Sequence, residues 1–176
     1  MKRGVVMAMA GLAAVALGAV GGIAGWQWYQ GEEPAGERRP AFSLPDLDGD
    51  VRRISEWDGE IIVLNFWASW CKPCREEIPR FVELQKRFGD QGVQFLGVAI
   101  DRKEAVAGFA DEFDMNYPNL HGIQKGMDVQ SMYGNEAGTL PYTIVIDRDG
   151  FIRHIFPRVV EEGDLAPVLA SMAGSA

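Results

Sequence analysis

Apolar residues along the chain follow the two periods expected of an α/β domain. Nearly continuous apolar runs, typical of strands covered on both faces of a sheet, alternate with charged segments that carry apolar residues at helical spacing. The predicted strands occupy residues 61–67, 93–100, 142–146 and 151–156. The predicted helices occupy residues 72–88, 103–113, 128–133 and a last stretch from 161. The order predicts a central mixed β-sheet flanked by helices, preceded by a β-hairpin around Asp48-Gly49.

The N-terminal part has a different pattern. Residues 4–25 are uncharged and mostly apolar, and the run is long enough to cross a bilayer. Lys2 and Arg3 precede it and aromatic residues follow it within residues 26–29, which is typical of a transmembrane helix whose basic end stays in the cytoplasm. The alternative is a cleaved signal peptide, because residues 14–16 resemble an A-x-A cleavage site. Both interpretations export the rest of the chain. The length and flanks of the run favour the uncleaved anchor, so we expect a single-pass protein of the inner membrane whose domain faces the periplasm.

The chain is divided into an anchor, a linker and one folded domain. Residues 1–29 are the predicted membrane anchor or uncleaved signal sequence, polar residues 30–40 are a linker, and residues 41–176 are the domain. The net charge is −8, and Lys2 and Arg3 are the only charged residues among the first thirty, so the remainder carries −10. Such a domain is a poor candidate for binding nucleic acid or an anionic membrane surface.

The only two cysteines of the chain lie close together, in the run Trp70-Cys71-Lys72-Pro73-Cys74. A predicted strand leads into this run and a predicted helix leads out of it, which is typical of a reactive thiol pair. Unpaired N–H groups at the start of the helix lie beside the first sulfur and favour its thiolate. We therefore expect Cys71 to attack a partner's disulfide and Cys74 to resolve the mixed disulfide.

Two other roles for the cysteine pair have less support. A zinc site needs four ligands, and the two histidines, His121 and His154, are far from the pair and not spaced as a ligand array. A purely structural disulfide across two residues would constrain the unfolded chain little and so stabilise little. We expect a redox-active Cys71–Cys74 disulfide with no metal or other cofactor.

Three segments carry a resemblance to a known family: residues 42–49, residues 65–79 around the W-C-x-x-C motif, and residues 138–150. With the order of elements, they resemble the thioredoxin fold, and more closely the TlpA/ResA-like group of membrane-tethered thiol–disulfide oxidoreductases. Residues 101–133 look like the helix-containing insertion of that group. The resemblance implies protein substrates with disulfides and a membrane protein as electron donor. It also implies a reductant, with targets such as the disulfides of apocytochrome c haem sites or of copper-centre assembly.

The resemblance also points to an acidic residue near the pair. Thioredoxin-like proteins often carry a buried Asp six residues before the first cysteine, and this chain has Asn65 there, which cannot accept a proton. In the ResA-like group an acid occupies the position of Glu77, three residues after Cys74, and the resemblance implies that it deprotonates that cysteine. We expect burial to raise the pKa of Glu77, whereas Glu76 should face away. The alternative is a solvated Glu77 that the helix dipole favours.

A proline before the late hairpin completes the predicted site. The resemblance implies that Pro141 is cis and packs against the cysteines, and that Leu140 offers its backbone to an extended partner peptide. The alternative is an ordinary trans proline at a strand entry. Trp70 and Pro73 are assigned to the same docking surface, because a partly exposed indole ring supplies contact area. Trp67 is expected in the core.

Other functions remain open at this point. An oxidase or isomerase of protein disulfides would use the same W-C-x-x-C residues. A copper-binding metallochaperone of related fold would use C-x-x-x-C and a distal histidine, and the spacing here is one residue short. A peroxidase of related fold would need a cysteine in a P-x-x-x-T-x-x-C setting, which this chain lacks. A non-catalytic tether would exchange no disulfides.

Overall fold

A mixed sheet lies at the centre of this computed structural model, which describes residues 36–174. The strands of this part of the chain are β1 (Ser43–Pro45), β2 (Val51–Arg53), β3 (Ile61–Trp67), β4 (Val93–Ala99), β5 (Asn119–His121), β6 (Tyr142–Ile146) and β7 (Ile152–Phe156). The order across the main sheet is β5-β4-β3-β6-β7. β3, β4 and β5 are parallel, whereas β6 is antiparallel to β3 and to β7. The predicted mixed sheet and the hairpin of β1 and β2 are confirmed.

Helices cover both faces of this sheet. They are α1 (Lys72–Phe88), α2 (Lys103–Glu112), α3 (Ile123–Met132) and α4 (Glu162–Ala173), with short 3₁₀ helices at Ile54–Trp57 and Gly89–Gln91. α1 and α4 share one apolar core with β3, while α3 contributes to the core on the other face. The predicted helices 72–88 and 103–113 agree with α1 and α2 to within one residue.

The central strand β3 explains the nearly continuous apolar run at residues 61–67, because both of its faces are covered. All residues of β3 are buried, and successive side chains enter opposite cores: Leu64 and Phe66 on the α3 side, Ile61 and Val63 on the side of α1 and α4. Asn65 has the same parity as Ile61 and Val63. Its amide therefore points toward α1, the helix that carries the cysteine pair and Glu77.

The insertion differs from the prediction in two places. Residues 119–121, which lie outside the predicted strands, form β5 and pair with residues 97–99 of β4. The short helix predicted at 128–133 is α3, which begins at Ile123. β5 is too short to show alternation, and the buried side of α3 is formed by Gly126, Val129 and Gln130, which gives almost no apolar period.

Part of the predicted linker is paired with the domain. Arg38 forms an antiparallel bridge with Phe151, and backbone hydrogen bonds join Glu37 to Ile152 (2.8 Å) and Arg39 to Gly150 (2.8 Å). Residues 36–39 thus extend the edge of the sheet beside β7. The predicted anchor, residues 1–29, lies outside the described residues. Within residues 36–174, no helix combines the length and apolar character needed to span a membrane.

Candidate active site

The two cysteines form a disulfide where β3 gives way to α1. Cys71 is the N-cap residue of α1, so its sulfur lies at the helix end whose N–H groups lack helical partners. The Cys71 Sγ accepts a hydrogen bond of 3.3 Å from the N–H of Cys74. Cys71 is 5% exposed, whereas Cys74 is fully buried. Of the two cysteines, only Cys71 has exposed surface, which agrees with its expected role as the attacking thiol.

An acidic residue that the sequence pattern did not single out holds the turn before Cys71. Asp101 Oδ2 accepts hydrogen bonds from the N–H (3.1 Å) and the hydroxyl (2.6 Å) of Ser69. Its Oδ1 accepts from the N–H of Arg102 at 2.8 Å. The position of Asp101 in the sequence could have indicated this contact. Asp101 follows β4 as Ser69 follows β3, and because the two strands are parallel, both end at the same edge of the sheet.

Glu77 lies inside the protein, on the buried side of α1. Its side chain has no exposed surface, which excludes the solvated alternative, whereas Glu76 is exposed as expected. Glu77 Oε1 accepts a hydrogen bond of 2.9 Å from Asn65 Nδ2, and Oε2 accepts one of 3.0 Å from the N–H of Val160. Burial raises the pKa of Glu77 from 4.5 to about 7, although the hydrogen bonds from Val160 and Asn65 act in the opposite direction. The burial that was expected to raise its pKa is confirmed.

Asn65 connects this acid to the sheet. Its Nδ2 donates both to Glu77 and to the hydroxyl of Thr143 on β6, each at 2.9 Å. In the disulfide form shown here, the oxygens of Glu77 are bonded to Asn65 and Val160 rather than to Cys74. The Val160 contact could not be predicted, because a backbone N–H from a distant loop carries no side-chain signature.

Three of the four predicted docking residues, Trp70, Pro73 and Leu140, lie close to the cysteine pair in sequence or in the same apolar cluster. The Leu140–Pro141 peptide bond is cis, as expected, and Pro141 is buried. Leu140 is half-buried and packs against the apolar cluster that contains both cysteines. Trp70 is 69% exposed beside Cys71, and Pro73 is half-buried. Trp67 is fully buried against Phe109, with ring centroids 4.7 Å apart, so it belongs to the core as expected.

The histidines do not join the cysteines. His121 is on β5 and His154 on β7, which are the two opposite edge strands of the sheet. Within residues 36–174, no three His, Cys, Asp or Glu side chains are grouped so that they could hold a metal ion. The geometry therefore gives no support to the copper-binding alternative.

A cysteine pair at the start of a helix, a cis-proline whose preceding residue packs on the same apolar cluster, and a sheet of this order place the protein among the thiol–disulfide oxidoreductases of thioredoxin-like fold. Residues 35–155 match the model of the AhpC/TSA family. The thiol–disulfide oxidoreductase ResA of Geobacillus thermodenitrificans is 35% identical over 138 residues, which cover 78% of this chain and 77% of that protein. The thioredoxin-like protein YneN of Bacillus subtilis is 34% identical over 157 residues, covering 82% of this chain and 87% of YneN.

A solved structure agrees with these relatives. The crystal structure of a thiol:disulfide interchange protein of the thioredoxin family from Chlorobium tepidum superposes with a TM-score of 0.70 at 25% identity, covering 82% of this chain and 99% of that chain. The chain therefore belongs to the AhpC/TSA family, among the ResA-like thiol–disulfide oxidoreductases.

Proposed function

We propose that this protein reduces disulfide bonds of other exported proteins by exchange with its Cys71–Cys74 pair. The observation that supports this most is the buried Glu77, because a carboxyl whose pKa burial raises to about 7 can take a proton near neutral pH. An exported dithiol has to work against an oxidising compartment, and the release of a reduced target requires the buried Cys74 to lose its proton. Glu77 is the acid on the same helix that can receive it.

The proposed reaction has two steps. The Cys71 thiolate attacks one sulfur of the target disulfide, and the other target sulfur leaves as a thiolate that takes a proton from water. Cys74 then gives its proton to Glu77 and attacks the Cys71 sulfur, which releases the second target sulfur as a thiolate. That thiolate takes a proton from water, and Glu77 afterwards returns the proton of Cys74 to the solvent. The target gains two electrons and becomes a dithiol, while the pair becomes the Cys71–Cys74 disulfide. No metal or other cofactor takes part in these steps.

The target is proposed to dock on Trp70, Pro73, Leu140 and Pro141. Trp70 offers a large exposed ring beside the reactive sulfur, and Leu140 lies on the cluster that contains both cysteines. This surface suits a protein target, with disulfides of cytochrome c maturation or copper-centre assembly as the proposed class.

The direction of exchange is tested by the reduction potential of the Cys71–Cys74 pair, measured by equilibration with glutathione. A reductant is expected near the value of thioredoxin, about −270 mV, and an oxidase near that of DsbA, about −120 mV. A potential near the second value would overturn the reductant role and favour the oxidase or isomerase alternative.

The role of Glu77 is tested by the variant Glu77→Gln, with the exposed neighbour Glu76→Gln as matched control. A base must be ionised to act, so release of the target should rise with pH through about 7 in the unaltered protein and lose this dependence in Glu77→Gln. Glu76→Gln should keep the original profile. Equal release rates in all three proteins across pH would contradict the proposal.

The N-terminal segments enter the same proposal. Residues 1–29 would anchor the protein, residues 30–40 would act as the linker, and the domain would face the periplasm, where a membrane protein would supply electrons. The support is the apolar run 4–25 between Lys2-Arg3 and the following aromatic residues. Cell fractionation should find the full chain with the inner membrane and a chain lacking residues 1–29 in the soluble fraction. A full chain that is soluble would contradict the anchor.

A further inference from the structure

Two buried amide side chains of the insertion bind the segment that precedes the cis-proline. Asn135 Nδ2 donates to the carbonyl oxygen of Thr139 at 2.7 Å, and Gln130 Nε2 donates to the same oxygen at 2.9 Å. Asn135 Oδ1 in turn accepts from the N–H and from the hydroxyl of Thr139, both at 3.2 Å. Four hydrogen bonds thus join Thr139 to the end of α3 and the turn after it.

These amides are themselves held in place. Gln130 is 1% exposed and Asn135 is 5% exposed. The N–H of Asn135 donates to the carbonyl of Gln130, and the N–H of Gly138 donates to the carbonyl of Asn135, each at 3.2 Å. The loop between α3 and Pro141 is therefore closed on Asn135 by its own backbone, and the Asn135 side chain is oriented before any partner arrives.

The same bonds distinguish Thr139 from Leu140. Both backbone groups of Thr139 are used inside the protein. Within residues 36–174, neither the N–H nor the carbonyl of Leu140 has a hydrogen-bond partner. An extended peptide that pairs with this edge can thus use the backbone of Leu140 but not that of Thr139.

We propose that Asn135, assisted by Gln130, is a positioning residue that fixes Leu140 for docking and limits the backbone pairing with a target to this one residue. The inference rests on the proposed docking of target proteins at Leu140. The expected consequence is a preference for targets whose disulfide lies on a flexible, extended segment. Such a segment can bind through backbone pairing with Leu140 alone, because its other residues do not need to pair with a strand of this protein. The insertion then contributes to target binding while leaving the chemistry of the cysteines unchanged.

The test compares Asn135→Ala with the unaltered full chain and with Asn119→Ala as matched control. Asn119 is buried to the same 5% and also donates to a backbone carbonyl, that of Tyr117 at 3.0 Å, but it has no bond to residues 139–141. Each protein is reduced beforehand, freed of reductant, and mixed with excess insulin or bis(2-hydroxyethyl) disulfide, and oxidation of the pair is followed by tryptophan fluorescence. The first substrate can dock, whereas the second is too small to pair with Leu140.

The half-saturating insulin concentration should rise about tenfold in Asn135→Ala, because the loop before Pro141 must then be ordered when insulin binds. A factor of about ten corresponds to the net free energy of roughly one hydrogen bond. The limiting rate with insulin and the rate with the small disulfide should not change, and Asn119→Ala should match the unaltered chain. If Asn135→Ala fails to fold, Gln130→Ala removes only one of the two donors to the Thr139 carbonyl oxygen and should give a smaller rise. An unchanged insulin profile, or an equal loss with both substrates, would overturn the positioning role alone. An unaltered chain that reacts only with the small disulfide would overturn the proposed docking as well.

Discussion

Replacing Glu77 by Gln should change how the stability of the oxidised protein depends on pH. Below pH 4.5 the Glu77 carboxyl is protonated in the folded and in the unfolded chain, so its ionisation adds nothing to the free energy of unfolding. Between pH 4.5 and about 7 the unfolded chain releases this proton while the folded chain keeps it. The free energy of unfolding therefore falls as the pH rises through this window, and the loss is constant above it.

The size of the effect follows from the burial of the carboxyl. A rise in the pKa of Glu77 from 4.5 to about 7 corresponds to about 3 kcal/mol between the two ends of the window. Gln cannot ionise and lacks this loss. Its amide must place an NH₂ group near either Asn65 Nδ2 or the N–H of Val160, both of which donate to Glu77, and that mismatch adds about 1–3 kcal/mol of destabilisation that does not depend on pH.

Urea unfolding of both proteins at several pH values between 4 and 8, with the disulfide intact, separates these two effects. Other carboxyl groups act equally in both proteins, so the difference between the two free energies of unfolding isolates Glu77. This difference should shift by about 3 kcal/mol in favour of Glu77→Gln from the acidic to the alkaline end. A constant difference would mean that the pKa of Glu77 is ordinary and would refute the reasoning from its burial.

Three further variants test other parts of the fold by the same unfolding assay. Phe81→Ala removes a fully buried ring and should cost about 3–5 kcal/mol, so a loss below about 1 kcal/mol would contradict its place in the core. Thr143→Val leaves one N–H of the buried Asn65 amide without an acceptor and should cost about 1–3 kcal/mol, whereas an unchanged stability would mean that this bond is not formed. Glu112→Ala breaks an ion pair with Arg75 whose side chains are 55% and 38% exposed, and it should cost less than about 1 kcal/mol; a larger loss would show that the pair is more than a surface contact.

The long elements were predictable because one period of burial persists along each of them. β3 is buried at every residue, and α1 repeats its apolar residues over 17 residues, so neighbouring signals reinforce one another. β5 has three residues, and α3 turns Gly126 and Gln130 toward the protein. The pattern of β5 does not differ from that of a loop, because pairing with β4 rather than local sequence makes it a strand. Only the last part of α3 was predicted, because its first turns carry no regular apolar period.

The site was predictable where side chains carry the chemistry. The spacing of Cys71 and Cys74 and the position of Glu77 on the same helix are sequence features, and the structure adds their burial. The contacts of Val160 and Thr139 were not predictable, since both use backbone groups brought close by the fold. Asn135 could not be identified either, because an Asn next to Gly in a loop predicts a turn equally well.

Asn65 explains why the pKa of Glu77 lies near neutrality. An acid in the place of Asn65 would put a second negative charge against Glu77, and the pKa values of such a pair are driven apart. An apolar residue would remove a donor that favours the ionised carboxyl and would leave burial less opposed. The amide avoids the like charge and still donates, at 2.9 Å, to Glu77 Oε1. Asn65 on β3 and Glu77 on α1 therefore work as a pair, in which the buried carboxyl lies on the helix that carries Cys74 and the strand supplies a donor that favours its ionised form.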